Sequence, residues 1–243
     1  MKLSIVIPCY NEEKTVRELV DLVEKVDGIA KEIIIVDDGS KDGSRQILAN
    51  MAQEKPHLKI ILNQKNSGKG ATVREGYKHT TGDYVIVQDA DLEYNPQDYK
   101  KLVAEVEKGA QVVYGSRFSG DYEEPLSRCL LFRFAKHKDM TNLHYFGNQL
   151  LTILTNLLYG THLTDMETCY KLLPGDFVRS VKLKSDRFDF EPEITSKILK
   201  SGMKIVEVPV SYKGRSWKEG KKITWRDGLH AVKTLIKFRF CDS

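Results

Sequence analysis

The chain has 243 residues, 41% of them apolar and 30% charged, which excludes a disordered chain and suits one soluble domain of ordinary size. Its 38 Lys and Arg stand against 34 Asp and Glu, and the resulting +4 is too small an excess to argue for nucleic acid as a partner. Cys9, Cys129, Cys169 and Cys241 form no CxxC pair, so a zinc ribbon, a redox dithiol or a disulfide framework is not expected, and dispersed thiols fit a reducing, cytoplasmic compartment. The short apolar run at the N-terminus leads straight into Pro8 and charged residues, unlike a signal peptide. The longest weakly polar stretch, Gly147 to Leu163, is broken by Asn148, Gln149, Asn156 and His162, and reads as a buried or interfacial helix rather than a membrane span.

In chain order, Leu3–Ile7 reads as a strand, and Lys14–Val26 as a helix with Val16, Leu19, Val20, Val23 and Val26 on one face. Ile33–Val36 is a second strand and Ser44–Gln53 a second helix; Lys59–Leu62 is a third strand, followed by a helix over Gly70–His79. Tyr84–Val87 is a fourth strand, Pro96 takes a helix N1 position before Gln97–Lys108, and Val112–Tyr114 is a fifth strand. Short apolar strands alternating with amphipathic helices predict an α/β fold: a mostly parallel sheet covered on both faces, in a single domain. Phe118–Asn142 has no clear period and reads as a long loop or an irregular helix. Beyond it, Asn148–Tyr159, Pro192–Leu199 and Trp225–Phe240 read as helices, and Cys169–Leu173 and Ile205–Tyr212 as strands.

Ligands on such sheets bind at the carboxyl ends of the strands. That rule selects Pro8-Cys-Tyr-Asn-Glu12, Asp37-Asp-Gly-Ser40, Asn66-Ser-Gly-Lys-Gly70 and Asp89-Ala-Asp91, four loops expected on one edge. Asp89 and Asp91, one residue apart at a strand end, suit a hard cation such as Mg²⁺ or Mn²⁺, which takes one or two carboxylates plus substrate phosphate oxygens; Glu93 is a third carboxylate in the same turn. An exposed acidic turn would look the same, but the preceding apolar strand favours the functional reading. Asp37 or Asp38 suits a nucleotide base or ribose, although Asp and Gly are also turn residues. The loop around Lys69 lacks the GxxxxGK[ST] spacing of a P-loop; it either admits a ligand close to backbone or merely starts a helix.

Together, Ile7-Pro-Cys-Tyr-Asn-Glu12, Val36-Asp-Asp-Gly-Ser40, Asn66-Ser-Gly-Lys-Gly70, Gln88-Asp-Ala-Asp91 and Gly115-Ser-Arg-Phe118 resemble the family 2 glycosyltransferases, which have the GT-A fold. Thr164–Lys171, Phe188–Glu193 and Gly214–Ile223 extend the resemblance toward the dolichyl-phosphate mannose synthase and polyprenyl-phosphate glycosyltransferase group. It implies a nucleotide-binding half over 1–117, an acceptor half over 118–225 and an amphipathic end over 226–243. It also implies that Pro8, Tyr10, Glu12, Asp37, Asp38 and Lys69 line the donor site, and that Asp89, Ala90 and Asp91 hold metal and diphosphate, with Glu93 as a further metal ligand. Arg117 would face the acceptor phosphate, and Arg215 and Lys221 would close over the donor from a lid bracketed by Gly214 and Gly220. Arg128 and Arg133 are further acceptor candidates.

The implied reaction is inverting transfer from GDP-mannose or a UDP-sugar to a polyprenyl or dolichyl phosphate. A phosphate monoester is mostly dianionic at neutral pH and needs no base. A saccharide or other hydroxyl acceptor would need one, and Asp165 and Glu167 are the carboxylates that keep this alternative open. A nucleotidyltransferase is disfavoured because its glycine-rich first loop is replaced by Pro8–Glu12. A non-catalytic nucleotide-sugar-binding protein is disfavoured by the intact Asp89, Asp91 and Glu93. The terminal helix, with Leu229, Val232, Leu235, Ile236, Phe238 and Phe240 against Arg226, Lys233, Lys237 and Arg239, either docks on the domain or meets a membrane surface through 226–240.

Overall fold

The computed structural model describes residues 1–119, 142–215 and 225–241, with only the backbone described at 142–144 and 225–226. Arg128, Arg133 and Lys221, with most of the expected lid and of the segment Phe118–Asn142, lie outside the described residues. Among the described residues one sheet of seven strands forms, in the order β3-β2-β1-β4-β6-β5-β7. Its strands are β1 (Lys2–Cys9), β2 (Ala30–Asp37), β3 (Lys59–Leu62), β4 (Tyr84–Val87), β5 (Val112–Ser116), β6 (Lys171–Pro174) and β7 (Ile205–Pro209). β1 is an interior strand and its apolar run is shut from water on both faces, as a fully covered strand requires.

The strands alternate with α1 (Val16–Glu24), α2 (Ser44–Glu54), α3 (Lys69–Tyr77) and α4 (Tyr99–Glu107), the last preceded by a 3₁₀ turn, Pro96–Asp98, capped by the Asn95 side chain. In α1, Val16, Leu19, Val20 and Val23 are buried, the face that the sequence spacing selects. β6 departs from the parallel pattern and runs antiparallel to β4 and β5. Its four residues give no directional signal, because a direction is set by the connection and not by the apolar run.

The second half adds α5 (Asn142–Tyr159), α6 (Gly175–Ser180), α7 (Phe190–Lys200) and α8 (Trp225–Phe240). The six-residue α6 has no counterpart in the sequence reading, since it is too short to show a period. α5 and α8 share a satellite core of Leu151, Leu163, Met166, Ala231 and Leu235, separate from the main core under the sheet. The stretch Leu150–Leu158, part of the segment that reads from sequence as a buried or interfacial helix, is split: Leu151 and Thr155 are buried while Leu150, Ile153 and Leu157 face outward. α8 docks on the domain through Ala231, Leu235 and Phe238 and leaves Leu229, Ile236 and Phe240 exposed.

The strand order reverses at β1, with β2 and β3 on one side and β4 on the other. Sheets of this kind form their ligand crevice at such a switch point, here beyond the carboxyl ends of β1 and β4, where Glu12 and the Asp89–Glu93 turn emerge.

Candidate functional site

The loops on this edge are stitched to one another by side chains accepting from or donating to backbone. Asn11, held at a left-handed φ of 52°, donates its amide to Ser40 Oγ at 2.9 Å and accepts from the Lys41 amide at 2.8 Å. Glu12 N donates to Ser44 Oγ at 2.8 Å, and the two oxygens of Asp38 accept from the Ser67 and Gly68 amides at 2.8 Å each. Gly39 has a φ of 68°, and a Cβ there would stand 2.6 Å from the Lys65 carbonyl carbon. Asp37 is fully buried; its Oδ2 takes Arg45 Nη1 at 2.7 Å, while its Oδ1 has no hydrogen-bond partner. Pro8 and Tyr10 flank Cys9 at the end of β1.

Two cations enter the crevice. Lys69 Nζ lies 2.7 Å from Asp89 Oδ1 and 3.4 Å from Glu191 Oε1, and Glu191 also pairs with Lys171 at 2.5 Å. Arg215 reaches Glu12 with Nη1 at 3.0 Å and Nη2 at 3.1 Å, and Asp91 Oδ2 with Nη2 at 3.2 Å. Glu93 accepts from the Arg215 amide at 2.8 Å and from Tyr212 Oη at 2.7 Å. Leu92, at a left-handed φ of 61°, sets the turn between Asp91 and Glu93, and Ala90 beside it is buried.

Five carboxylates, Glu12, Asp89, Asp91, Glu93 and Glu191, thus meet three cationic side chains. The excess is felt at Asp91, whose pKa is pushed up to about 7 by burial and then by the charges of Asp89 and Glu93, with Arg215 pulling it back. An all-oxygen donor set with surplus negative charge fits a hard divalent cation. Among the described residues no three His, Cys, Asp or Glu side chains enclose an ion by themselves. The expected ligand trio of Asp89, Asp91 and Glu93 is therefore not assembled: Glu93 is turned to Tyr212 and the Arg215 backbone. Asp89 and Asp91 are the two carboxylates of this turn that could hold such an ion, with further oxygens coming from a substrate.

At the neighbouring end of β5, Arg117 forms a forked pair with Asp165, Nε to Oδ2 and Nη2 to Oδ1, both at 2.7 Å, and its amide also donates to Oδ2 at 3.0 Å. Burial works against the guanidinium charge, but the Asp165 carboxylate outweighs it and holds Arg117 firmly protonated. The ring of Tyr212 packs 5.2 Å from the guanidinium carbon, so one tyrosine links Arg117 to Glu93. Asp165 is fixed in turn by its backbone amide donating to Glu207 Oε1 at 3.0 Å and by Asn148 at 3.4 Å. Glu167 differs: its Oε1 is shut from solvent without a hydrogen-bond partner, and burial, opposed by Lys171 and reinforced by Glu191, raises its pKa to about 7.

The structure brings together Glu12, Lys69, Asp89, Asp91, Glu93 and Arg215, and sets Arg117 with Asp165. Glu191, Glu207 and Tyr212 are additions. Glu191 lies in a helix, within the segment Phe188–Glu193 that carries the resemblance but without a role assigned to it, and Glu207 lies within a strand, away from the loop ends that sequence reasoning searches.

Residues 4–161 match the family described as Glycosyl transferase family 2. The chain belongs to that family. A dolichyl-phosphate beta-glucosyltransferase of Trichomonas vaginalis is 29% identical over 97% of this chain and 72% of its own length. An undecaprenyl-phosphate 4-deoxy-4-formamido-L-arabinose transferase of Salmonella paratyphi B is 38% identical over 46% of this chain and 36% of its own. Glucosyl-3-phosphoglycerate synthase of Mycobacterium tuberculosis, solved with Mn²⁺, uridine diphosphate and phosphoglyceric acid, superposes with a TM-score of 0.71 at 18% identity, covering all of this chain and 80% of that one. The same synthase, solved with Mg²⁺ and uridine diphosphate, gives 0.69. The fold of this family 2 glycosyltransferase is accordingly GT-A.

Proposed function

We propose that the chain transfers a sugar, with inversion, from a nucleotide-diphosphate sugar such as GDP-mannose or a UDP-sugar to a polyprenyl phosphate. The observation that carries the reading is the pairing of two unlike charge sites across Tyr212: a carboxylate-rich crevice with surplus negative charge, and a buried guanidinium held by one edge. The names of the Trichomonas and Salmonella relatives support the lipid-phosphate acceptor.

Pro8, Tyr10, Glu12 and Asp38 shape the donor pocket, and the free oxygen of Asp37 suits a hydroxyl or amino group of the nucleoside. Mg²⁺ or Mn²⁺ held by Asp89 and Asp91 would supply positive charge to the leaving diphosphate. Arg215 exchanges its carboxylate partners for the diphosphate oxygens, one charge-assisted contact for another. Lys69 keeps Asp89 oriented, itself braced by Glu191. Asp165 fixes Nε and Nη2 of Arg117, leaving Nη1 for the acceptor phosphate. That phosphate, with a second pKa of about 6, is already charged and attacks the anomeric carbon opposite the diphosphate. The carbon–oxygen bond to the diphosphate breaks as the new one forms, through an oxocarbenium-like state.

One observation favours a second reading, transfer to a hydroxyl group: a pKa of about 7 and an unpartnered oxygen make Glu167 a competent general base. Asp165, locked on Arg117, is not free for that role.

Radiolabelled GDP-mannose and UDP-sugars, incubated with short-chain polyprenyl phosphate and Mn²⁺ and then extracted into organic solvent, test the proposal. Label should enter the organic phase, and Arg117→Lys, which keeps the charge and loses the fork, should cut transfer roughly tenfold to a hundredfold with little effect on donor binding. Label that stays in water while a saccharide acceptor takes it up would overturn the reading in favour of Glu167.

A further inference from the structure

Helix α5 carries no Asp, Glu, Lys or Arg from Asn142 to Tyr159. Its inner face is taken up by Leu151, Thr152 and Thr155. Its outer face presents Phe146, Leu150, Ile153 and Leu157, and spacings of four, three and four residues put them on one narrow strip. Leu150 is 63% exposed and Leu157 78%. A helix face meant for water carries charge; this one carries none.

α8 packs beside it through Leu151, Ala231 and Leu235. It leaves its own apolar row, Leu229, Ile236 and Phe240, on the outside. The exposed charges around that row, Lys233, Lys237 and Arg239, are all positive, and no acidic residue occurs from Leu229 to Phe240. Lys237 and His230 also line, with Lys184, Arg187, Asp186 and Asp189, an open cavity of about 320 Å³, where Asp186 is tied to Arg74 at 2.5 Å.

The strip starts at the acceptor end of the site. Asn148, between Phe146 and Leu150, lies 3.4 Å from Asp165, and Tyr145 meets Phe118 edge-on with ring centroids 5.4 Å apart. Asp165 thus joins Arg117 to the part of α5 that carries the first exposed apolar residues.

We propose that α5 and α8 form a docking surface for an anionic lipid bilayer, with the α5 strip set into the acyl boundary and the basic residues of α8 against headgroup phosphates. Charge chooses lipid over a second copy of the chain. A two-fold dimer through this face would set Lys233, Lys237 and Arg239 against their own counterparts, and like charges across an interface repel. An anionic surface neutralises them, and uncharged strips with basic flanks are the pattern of interfacial helices. The proposal rests on the lipid-phosphate reading and extends it: a long-chain acceptor would be met with its head beside Arg117 and its tail in the bilayer.

Sedimentation of the full chain with phosphatidylcholine vesicles and with mixed phosphatidylcholine–phosphatidylglycerol vesicles tests this. Binding should favour the mixed vesicles and weaken as salt rises. Leu150→Ser with Leu157→Ser should lower the vesicle affinity at least about tenfold, and Lys233→Glu or Lys237→Glu about fivefold each. Thermal stabilisation by nucleoside diphosphate and Mn²⁺ should not change in these variants, which shows that they fold. A polarity-sensitive dye on Leu157→Cys should shift to the blue only when mixed vesicles are added. Equal vesicle binding by all variants, or a dye already shielded without vesicles, would overturn the proposal, as would a wild-type dimer that Leu157→Ser dissociates. Transfer to a detergent-dissolved short-chain acceptor separates the two claims: if it persists without vesicle binding, the docking surface fails and the lipid-phosphate reading stands; vesicle binding without transfer gives the reverse.

Discussion

The crevice at the ends of β1 and β4 and the Arg117–Asp165 pair at the end of β5 are both built from buried charge, yet they are balanced differently. In the crevice, carboxylates outnumber cations, and Asp91 pays for the imbalance with a raised pKa. At the end of β5 a guanidinium and a carboxylate meet in a fork; Asn148 donates to the carboxylate, and Glu207 accepts from the backbone amides of Thr164 and Asp165. A site with surplus charge invites a ligand of opposite sign; a balanced one fixes a side chain in place before any ligand arrives. The first suits a metal-bound diphosphate and the second a single phosphate that must be aimed.

Breaking the balanced pair should have the largest effect on stability. Asp165→Asn leaves the Arg117 charge buried without its partner, and should lower the unfolding free energy by about 3–5 kcal/mol in urea titration. A loss below about 1 kcal/mol would mean that the fork is loosely held or wetted. The loops of the crevice depend instead on backbone geometry. Gly39→Ala forces a side chain into a left-handed conformation and against the Lys65 backbone, and should cost about 1–3 kcal/mol while also weakening donor binding, because Asp38 and the Ser67–Gly68 amides share that turn. An unchanged melting temperature would show that the turn relaxes freely.

Glu167 sharpens the comparison through an effect on rate that should be small. If a lipid phosphate is the acceptor, Glu167→Gln leaves the transfer rate and its pH profile nearly unchanged; if a hydroxyl is, the variant loses a limb that rises through about pH 7. Stability gives an independent reading. Because the folded pKa is raised above its unfolded value, the folded chain holds a proton that the unfolded chain has released, so stability falls as pH rises from the ordinary glutamate range to about 7 and is level above it. In Glu167→Gln that slope should become shallower, leaving the part that Asp91, raised in the same way, contributes.

Much of the first half was legible because burial writes itself into short β-branched runs. β3 and β4 match their sequence bounds, and the four loops selected by the strand-end rule meet at one edge. The direction of β6 was not legible, since four apolar residues carry no mark of polarity. Nor was the partnership of Arg117: its pair is 48 positions away, and a lone arginine after a strand looks the same whether it faces solvent, substrate or a carboxylate. Glu93 shows the converse. It stands at a spacing that suits a metal ligand, but Tyr212 and the Arg215 backbone, far along the chain, claim its oxygens. The two-sided nature of α5 was hidden because a helix with no charges gives no polar face to read.

The claim on which the account turns is that Asp89 and Asp91 bind a divalent cation together with the donor diphosphate. Isothermal titration of GDP and UDP into the wild-type protein and Asp91→Ala, each with and without Mn²⁺, tests it most directly. One nucleotide should bind the wild type, Mn²⁺ should tighten it by about a hundredfold or more, and Asp91→Ala should abolish the Mn²⁺ effect while keeping the fold. Nucleotide binding that is indifferent to Mn²⁺, or a Mn²⁺ effect that survives Asp91→Ala, would contradict it.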